Sequence, residues 1–198
     1  MTKRNRREQG FTLLEALIVI GIMITLAGIA VVQSFGSLEG YQSNSAQDIV
    51  ASQLRVARQL AISQRRFVQV QFNSTASPPT VSYTILPRAG SSDPTQAPVV
   101  STLPRQTTFM QESGVPDTPM AFGTCSSAGI CIGGVGGGPV FMEFTPSGQF
   151  TDSTNVNALN GTVFIGIPNQ KKTARAVTIM GGTGRVRPYT WVASGWIE

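Results

Sequence analysis

Hydrophobic and polar positions divide the chain into stretches of different period. From Ala16 to Val32 no residue is charged, and Phe11–Leu14 extend the apolar run beyond a single carboxylate, Glu15. About twenty apolar residues cross a bilayer core, so this run is long enough to do so. In QSFGSLEGYQSNS (33–45) two glycines sit among serines, and the helix is expected to weaken or kink there. Helical spacing returns from Ala46 to Arg66. Ile49, Val50, Leu54, Ala57, Leu60 and Ala61 fall on one stripe, while Arg55, Arg58, Gln59 and Arg65 lie mostly off it as a solvated face.

Downstream the period changes to two. FVQVQF (67–72) alternates cleanly, the turn NSTASPP follows, and TVSYTIL (80–86) reads as the returning strand. Residues 87–106 are rich in Pro, Ser and Thr and read as a long surface loop, with a weak strand at Thr107–Gln111. A second loop carries the cysteines. PVFMEF (139–144), GTVFIGI (161–167), ARAVTIM (174–180) and RVRPYTW (185–191) are further strands, separated by the turns TPSG, PNQKK and GGTG. One long helix followed by runs of strands predicts an α+β fold, with a globular antiparallel β domain packed on the C-terminal part of the helix. The boundaries expected are 1–10, 11–32 for the apolar helix, 33–66 for its continuation and amphipathic part, and 67–198 for the β domain.

Charge adds a direction. Lys3, Arg4, Arg6 and Arg7, less Glu8, supply +3 of the formal +5, which leaves +2 for the rest of the chain. Basic residues on the N-terminal flank place that end in the cytoplasm and residues from about 33 onward across the membrane. A cleaved signal peptide has a shorter apolar core of about 7–15 residues, and a plain signal anchor also fits, but neither explains Glu15. A lone carboxylate at membrane depth costs several kcal/mol and marks a functional pairing more often than an accident. Snorkelling to the headgroups is the alternative.

Candidate chemistry is sparse. The chain has no histidine, which removes Ser-His-Asp and Cys-His nucleophiles and most imidazole metal sites. No metal, cofactor or enzymatic activity is expected. Cys125 and Cys131, six apart, are too few for a structural zinc site and do not form a C-x-x-C. Outside the cytoplasm they form a disulfide closing a small loop; otherwise they pack as two thiols. GGVGGG (133–138) precedes a strand rather than a helix, so it is not a phosphate loop. The sequons at Asn73 and Asn160 fall in turns, which explain them equally well.

The order of the opening features, basic residues, Gly10, F-T-L-L-E and an uninterrupted apolar helix, resembles the class III signal of type IV pilins and pseudopilins. The resemblance implies cleavage by a prepilin peptidase between Gly10 and Phe11 and N-methylation of Phe11. It also implies that Glu15 pairs with the Phe11 amine of a neighbouring subunit. Further along, LRVARQLAISQRRFVQVQF, F-T-P-S-G-Q-F, R-A-V-T-I and G-R-V-R resemble the GspH/FimT family of minor pseudopilins and minor pilins. That family implies a long N-terminal helix with a two-sheet β domain. It implies a subunit that initiates or caps a type II secretion pseudopilus or type IV pilus, anchored singly in the bacterial inner membrane with a periplasmic C-terminal domain. Partners would be other pilins, the peptidase/N-methyltransferase, the inner-membrane assembly platform and lipid.

DNA is a further partner implied for relatives carrying G-R-x-R, here Gly184–Arg187. Arg185 and Arg187, two apart on a strand, share a face, and Lys171 and Lys172 lie in a nearby turn. Residues 161–198 hold five basic side chains against Glu198, whereas 89–160 hold one basic and five acidic residues. Paired arginines on an edge strand are also a common solvating device.

Overall fold

The structure is a computed structural model. It describes the chain apart from residues 1–11, 89, 124–128, 134, 137–139 and 153–156, and for residues 30–37, 135, 136 and 140 the backbone alone. A single helix, α1, runs from Leu13 to Gln64. Over 33–45, where the helix was expected to weaken or kink, the backbone stays helical through Gly36 and Gly40. Each glycine costs a helix about 1 kcal/mol, which weakens it locally without ending it. The helix closes at Arg65, which takes a left-handed φ of 53°, and Arg66 donates its N–H back to the Ala61 carbonyl at 3.2 Å. This is a Schellman closure with arginine in the place usually held by glycine.

The chain forms two compact units, Met1–Leu38 and Glu39–Glu198. The second contains all the strands. β1 (Val68–Asn73), β2 (Thr80–Ile85), β3 (Val99–Thr102), β7 (Val140–Phe144) and β8 (Phe150–Asp152) form one antiparallel sheet in the order β3-β2-β1-β7-β8. The other sheet has the order β12-β11-β10-β9-β5-β6. It comprises β5 (Ile130–Ile132), β6 (Val135–Gly136), β9 (Gly161–Gly166), β10 (Arg175–Met180), β11 (Arg185–Val192) and β12 (Gly195–Ile197), with β4 (Thr108–Phe109) also pairing with β9. A short 3-10 turn, η1 (Lys171–Thr173), leads into β10.

Burial follows the two periods. Val68, Val70 and Phe72 of β1 are fully buried, while Gln69 and Gln71 face away. Ala46, Val50, Leu54, Ala57 and Ala61 of α1 are buried to the last percent and join Val163, Ile165, Val177 and Ile179 in one core between the sheets. Small side chains on that helical stripe let its backbone come close to the strands. Gln47 fixes the approach: its buried amide donates to the carbonyls of Ala176 at 3.1 Å and Tyr189 at 2.8 Å. The opposite face of the second sheet is covered too, where Phe164, Ala176, Cys131 and Tyr189 cluster with Met120 and Trp196 packed against them. With both faces covered, GTVFIG and RAVTI are buried at every position rather than alternately.

The two-sheet α+β architecture agrees with expectation, and the differences lie in short pieces. β3 falls inside the stretch read as a loop over 87–106, and β5 and β6 fall inside the loop assigned to the cysteines. β8 and β12 were likewise not expected as strands. β3 lies at a sheet edge with Val99, Val100 and Thr102 exposed, so it has no buried alternation to detect. The others are too short for a period to register.

Candidate functional site

The helix start is built by the F-T-L-L-E stretch itself. Gly10 and Phe11, the expected processing residues, lie outside the described residues. Thr12 precedes the first helical turn, and its Oγ1 accepts the backbone N–H of Glu15 at 3.2 Å. Its carbonyl accepts the N–H of Ala16, also at 3.2 Å. Thr12 is thus the N-cap, and Glu15 stands at the third helical position, where a carboxylate also meets the positive end of the helix dipole. The sequence signal for this was T-x-x-E, half of a capping box. Glu15 therefore has a local task in addition to any partner.

Along the following turns Leu13, Leu14, Leu17, Met23, Ile24 and Leu26 are each more than 60% exposed. A contiguous apolar surface of this kind is not left to water. Among the described residues no helix is long and apolar enough to cross a membrane. The described side chains of the run stop at Ile29, before its end at Val32.

The four basic residues singled out for DNA do not share one location. β10 and β11 are antiparallel, with Met180 opposite Arg185 and Arg175 opposite Thr190. Lys171 and Lys172 precede Arg175, so they lie at the other end of β10 from Arg185, about 17 Å away at the strand rise of ~3.4 Å. Lys172 pairs with Glu39 at 3.2 Å and Arg187 with Glu198 at 3.4 Å. Tyr189 and Glu198 together hold the Arg187 guanidinium above its usual pKa, with burial opposing them. Arg185 and Lys171 are exposed and have no carboxylate partner among the described residues.

Glycine in G-R-V-R has a structural reason. Gly184 adopts a left-handed φ of 61°, and a Cβ there would lie 2.1 Å from the Gly148 carbonyl and 2.9 Å from Arg58 Nε. Gly148 in turn closes the T-P-S-G turn with φ 83°, and its carbonyl accepts from Arg58 Nε at 3.3 Å. The turns of the two sheets therefore touch backbone to backbone, and Arg58 of α1 lies over both. Arg58 is not simply part of a solvated face, as its spacing had suggested.

A second joint lies where α1 enters this unit. Glu39 accepts from Gln170 Nε2 at 2.7 Å and pairs with Lys172, which ties the helix to η1. Deeper in, the buried Arg175 donates from Nε to Asn44 Oδ1 at 2.7 Å and from Nη1 to the carbonyls of Lys172 and Ala174, and burial lowers its pKa. The hydrogen bond from Gln170, then Lys172, holds the Glu39 carboxyl below its usual pKa despite some desolvation. A depressed folded-state pKa stabilises the fold above the unfolded value, and that stability is lost as pH falls through the folded one. Glu39→Gln is therefore expected to melt slightly below the parent at neutral pH and level with it in acid. Coincident melting curves at neutral pH would show that the clasp contributes nothing.

Cys131 is buried and disulfide-bonded, whereas Cys125 lies outside the described residues. In the glycine-rich stretch, Val135–Gly136 is β6, pairing with β5, and β7 follows at Val140. Asn73 Oδ1 accepts from the Thr75 N–H and hydroxyl and from the Ala76 N–H, an Asx turn. Asn160 Oδ1 accepts from the Gly181 N–H at 2.9 Å.

Residues 5–31 match the family model described as the prokaryotic N-terminal methylation motif. The chain thus carries an N-terminal methylation motif at its head, and its fold is a helix with two antiparallel sheets. No curated protein matches it. Among solved structures, the type IV minor pilin FimU of Pseudomonas aeruginosa (strain PAO1) is similar at 17% identity and a TM-score of 0.46. The match covers 78% of this chain and 92% of that one.

Proposed function

We propose that this chain is a minor pilin or pseudopilin, a structural subunit that initiates or caps a type II secretion pseudopilus or type IV pilus. The observation that carries this reading is the methylation motif over residues 5–31, whose helical part presents an exposed apolar surface from Leu13 to Ile29. Prepilin peptidase removes Met1–Gly10 and the new α-amine of Phe11 is methylated. Before assembly the apolar run anchors the chain in the inner membrane, with the β unit on the periplasmic side. In the filament Glu15 neutralises the Phe11 amine of a neighbour. The bond to Cys131 is made with Cys125, the chain's other cysteine, which fits an oxidising compartment.

Intact-mass analysis of the chain purified from its native membrane tests both processing and compartment. The expected mass lacks residues 1–10, carries one added methyl group and gains nothing from alkylation until the protein is reduced. An unprocessed N-terminus would remove the pilin reading, and a freely alkylated thiol would remove the periplasmic placement.

A further inference from the structure

The β11–β12 hairpin carries a feature that filament assembly alone does not explain. Its sequence, WVASGWI (191–197), contains both tryptophans of the chain and no charge. Trp191 and Trp196 face each other across the strands, with ring centroids 5.4 Å apart. Val192 and Ile197 share the opposite face and are 49% and 56% exposed. The tip, Ala193–Ser194, is exposed as well. Free tips of soluble hairpins are ordinarily polar turns; this one leaves Val192 and Ile197 open on one face, while on the other the half-buried Trp196 packs against Phe164 and donates its indole N–H to the Pro116 carbonyl at 3.0 Å.

The contacts fix which end of the unit the tip occupies. The Tyr189 carbonyl accepts from Gln47 of α1, and the Trp191 backbone N–H donates to the Ala174 carbonyl. Arg175 reaches Asn44, and Lys172 reaches Glu39. Moving along β11 toward its tip therefore retraces α1 toward Glu39, its entry into the unit. Tyr41, 70% exposed, and the exposed Lys171 belong to the same end. Glu39 and Glu198 are held in ion pairs, and Asp117, next to the Pro116 carbonyl that accepts from the Trp196 indole, is bonded to the backbone N–H groups of Thr118 and Gly123. From Glu39 back to Val32, the end of the apolar run, is seven residues, which reach at most about 25 Å even when fully extended. Tryptophan and tyrosine with flanking lysine and small apolar residues is the composition that settles at the headgroup level of a bilayer.

We propose that, before it joins a filament, the chain rests the tip of this hairpin in the interfacial layer of the membrane that holds its apolar helix. The proposal rests on the membrane-anchored reading above. Val192 and Ile197 enter the boundary between headgroups and acyl chains. The two indoles lie at its edge, and Lys171 faces the lipid phosphates.

The two tryptophans are a built-in probe. Full-length protein is reconstituted into phosphatidylethanolamine/phosphatidylglycerol vesicles with brominated or ordinary acyl chains. Flotation reports anchoring and tryptophan emission reports contact. The expected result is flotation in both vesicles, with emission lost only in the brominated ones. Val192→Asp/Ala193→Asp, two changes at exposed positions, should float and melt as the parent does while its emission escapes quenching. Equal emission in both vesicles with flotation intact overturns the tip contact and leaves the anchor standing. A chain that fails to float overturns the anchor and the tip contact together. Tryptophans unquenched by lipid but shielded from iodide when other filament subunits are added would make the tip a protein-docking face, and would likewise overturn the proposal.

Discussion

Glu15→Gln is expected to leave the helix start intact and to lower incorporation into the filament by about a hundredfold or more. Glutamine serves at the third position of a capping box as well as glutamate does, and the Thr12 hydroxyl still accepts the backbone N–H of residue 15. What the variant removes is the charge. Leaving one member of a buried ion pair unmatched costs about 3–5 kcal/mol, and each 1.4 kcal/mol is a factor of about ten. In the filament the unmatched member would be the Phe11 amine of a neighbouring subunit. Thr12→Ala provides the complementary control, since it loses the cap at a cost of about 1 kcal/mol and keeps the charge. Counting subunits per filament by quantitative immunoblot separates the two roles. If Glu15→Gln incorporates like the parent while Thr12→Ala does not, the carboxylate is a capping residue and the pairing idea fails.

Gly184→Ala should destabilise the globular unit by about 3–5 kcal/mol, while Arg185→Ala, one residue on, stays within about 0.5 kcal/mol of the parent. Alanine pays twice at Gly184. Its φ of 61° is a left-handed conformation that costs a non-glycine residue roughly 1–3 kcal/mol. Its Cβ would also stand 2.1 Å from the Gly148 carbonyl, so the two turns must move apart and Arg58 with them. A fall in melting temperature on the order of 10 °C is the expected readout. Equal melting of parent and Gly184→Ala would mean that the turns do not meet as described. The two substitutions divide a four-residue motif into a part that the fold requires and a part that faces solvent.

Much of this arrangement was legible in the sequence, for identifiable reasons. The helical stripe from Ala46 to Ala61 and the alternation in FVQVQF each repeat several times, so their periods stand out and their burial follows. The processing motif was legible because its residues are adjacent in the chain. Three features were not. The T-x-x-E cap was hidden behind the more conspicuous question of why a glutamate follows Phe11. The Arg58–Gly148–Gly184 contact joins residues far apart in sequence, and nothing local in either glycine turn announces the other. The separation of the basic residues was the third, because sequence proximity between Lys172 and Arg185 hides a full strand length between them. Reversal at the GGTG turn carries Arg185 to the far end of β10 from the lysines.

One helix runs from Leu13 to Gln64, but its two parts answer to different surroundings, and substitution should affect them differently. In the membrane-anchored form proposed above, the exposed apolar side chains before Ile29 would meet lipid, which rewards carbon surface at roughly 25 cal/mol per Å² with little regard to shape. Exchanges among leucine, isoleucine, valine and methionine there are nearly interchangeable. Ala57 and Ala61 have no accessible surface at all. An added methyl at either overpacks a filled space at about 1–3 kcal/mol. Sequence drift along this single helix is therefore free in identity but bound in composition at one end. At the other it is bound residue by residue.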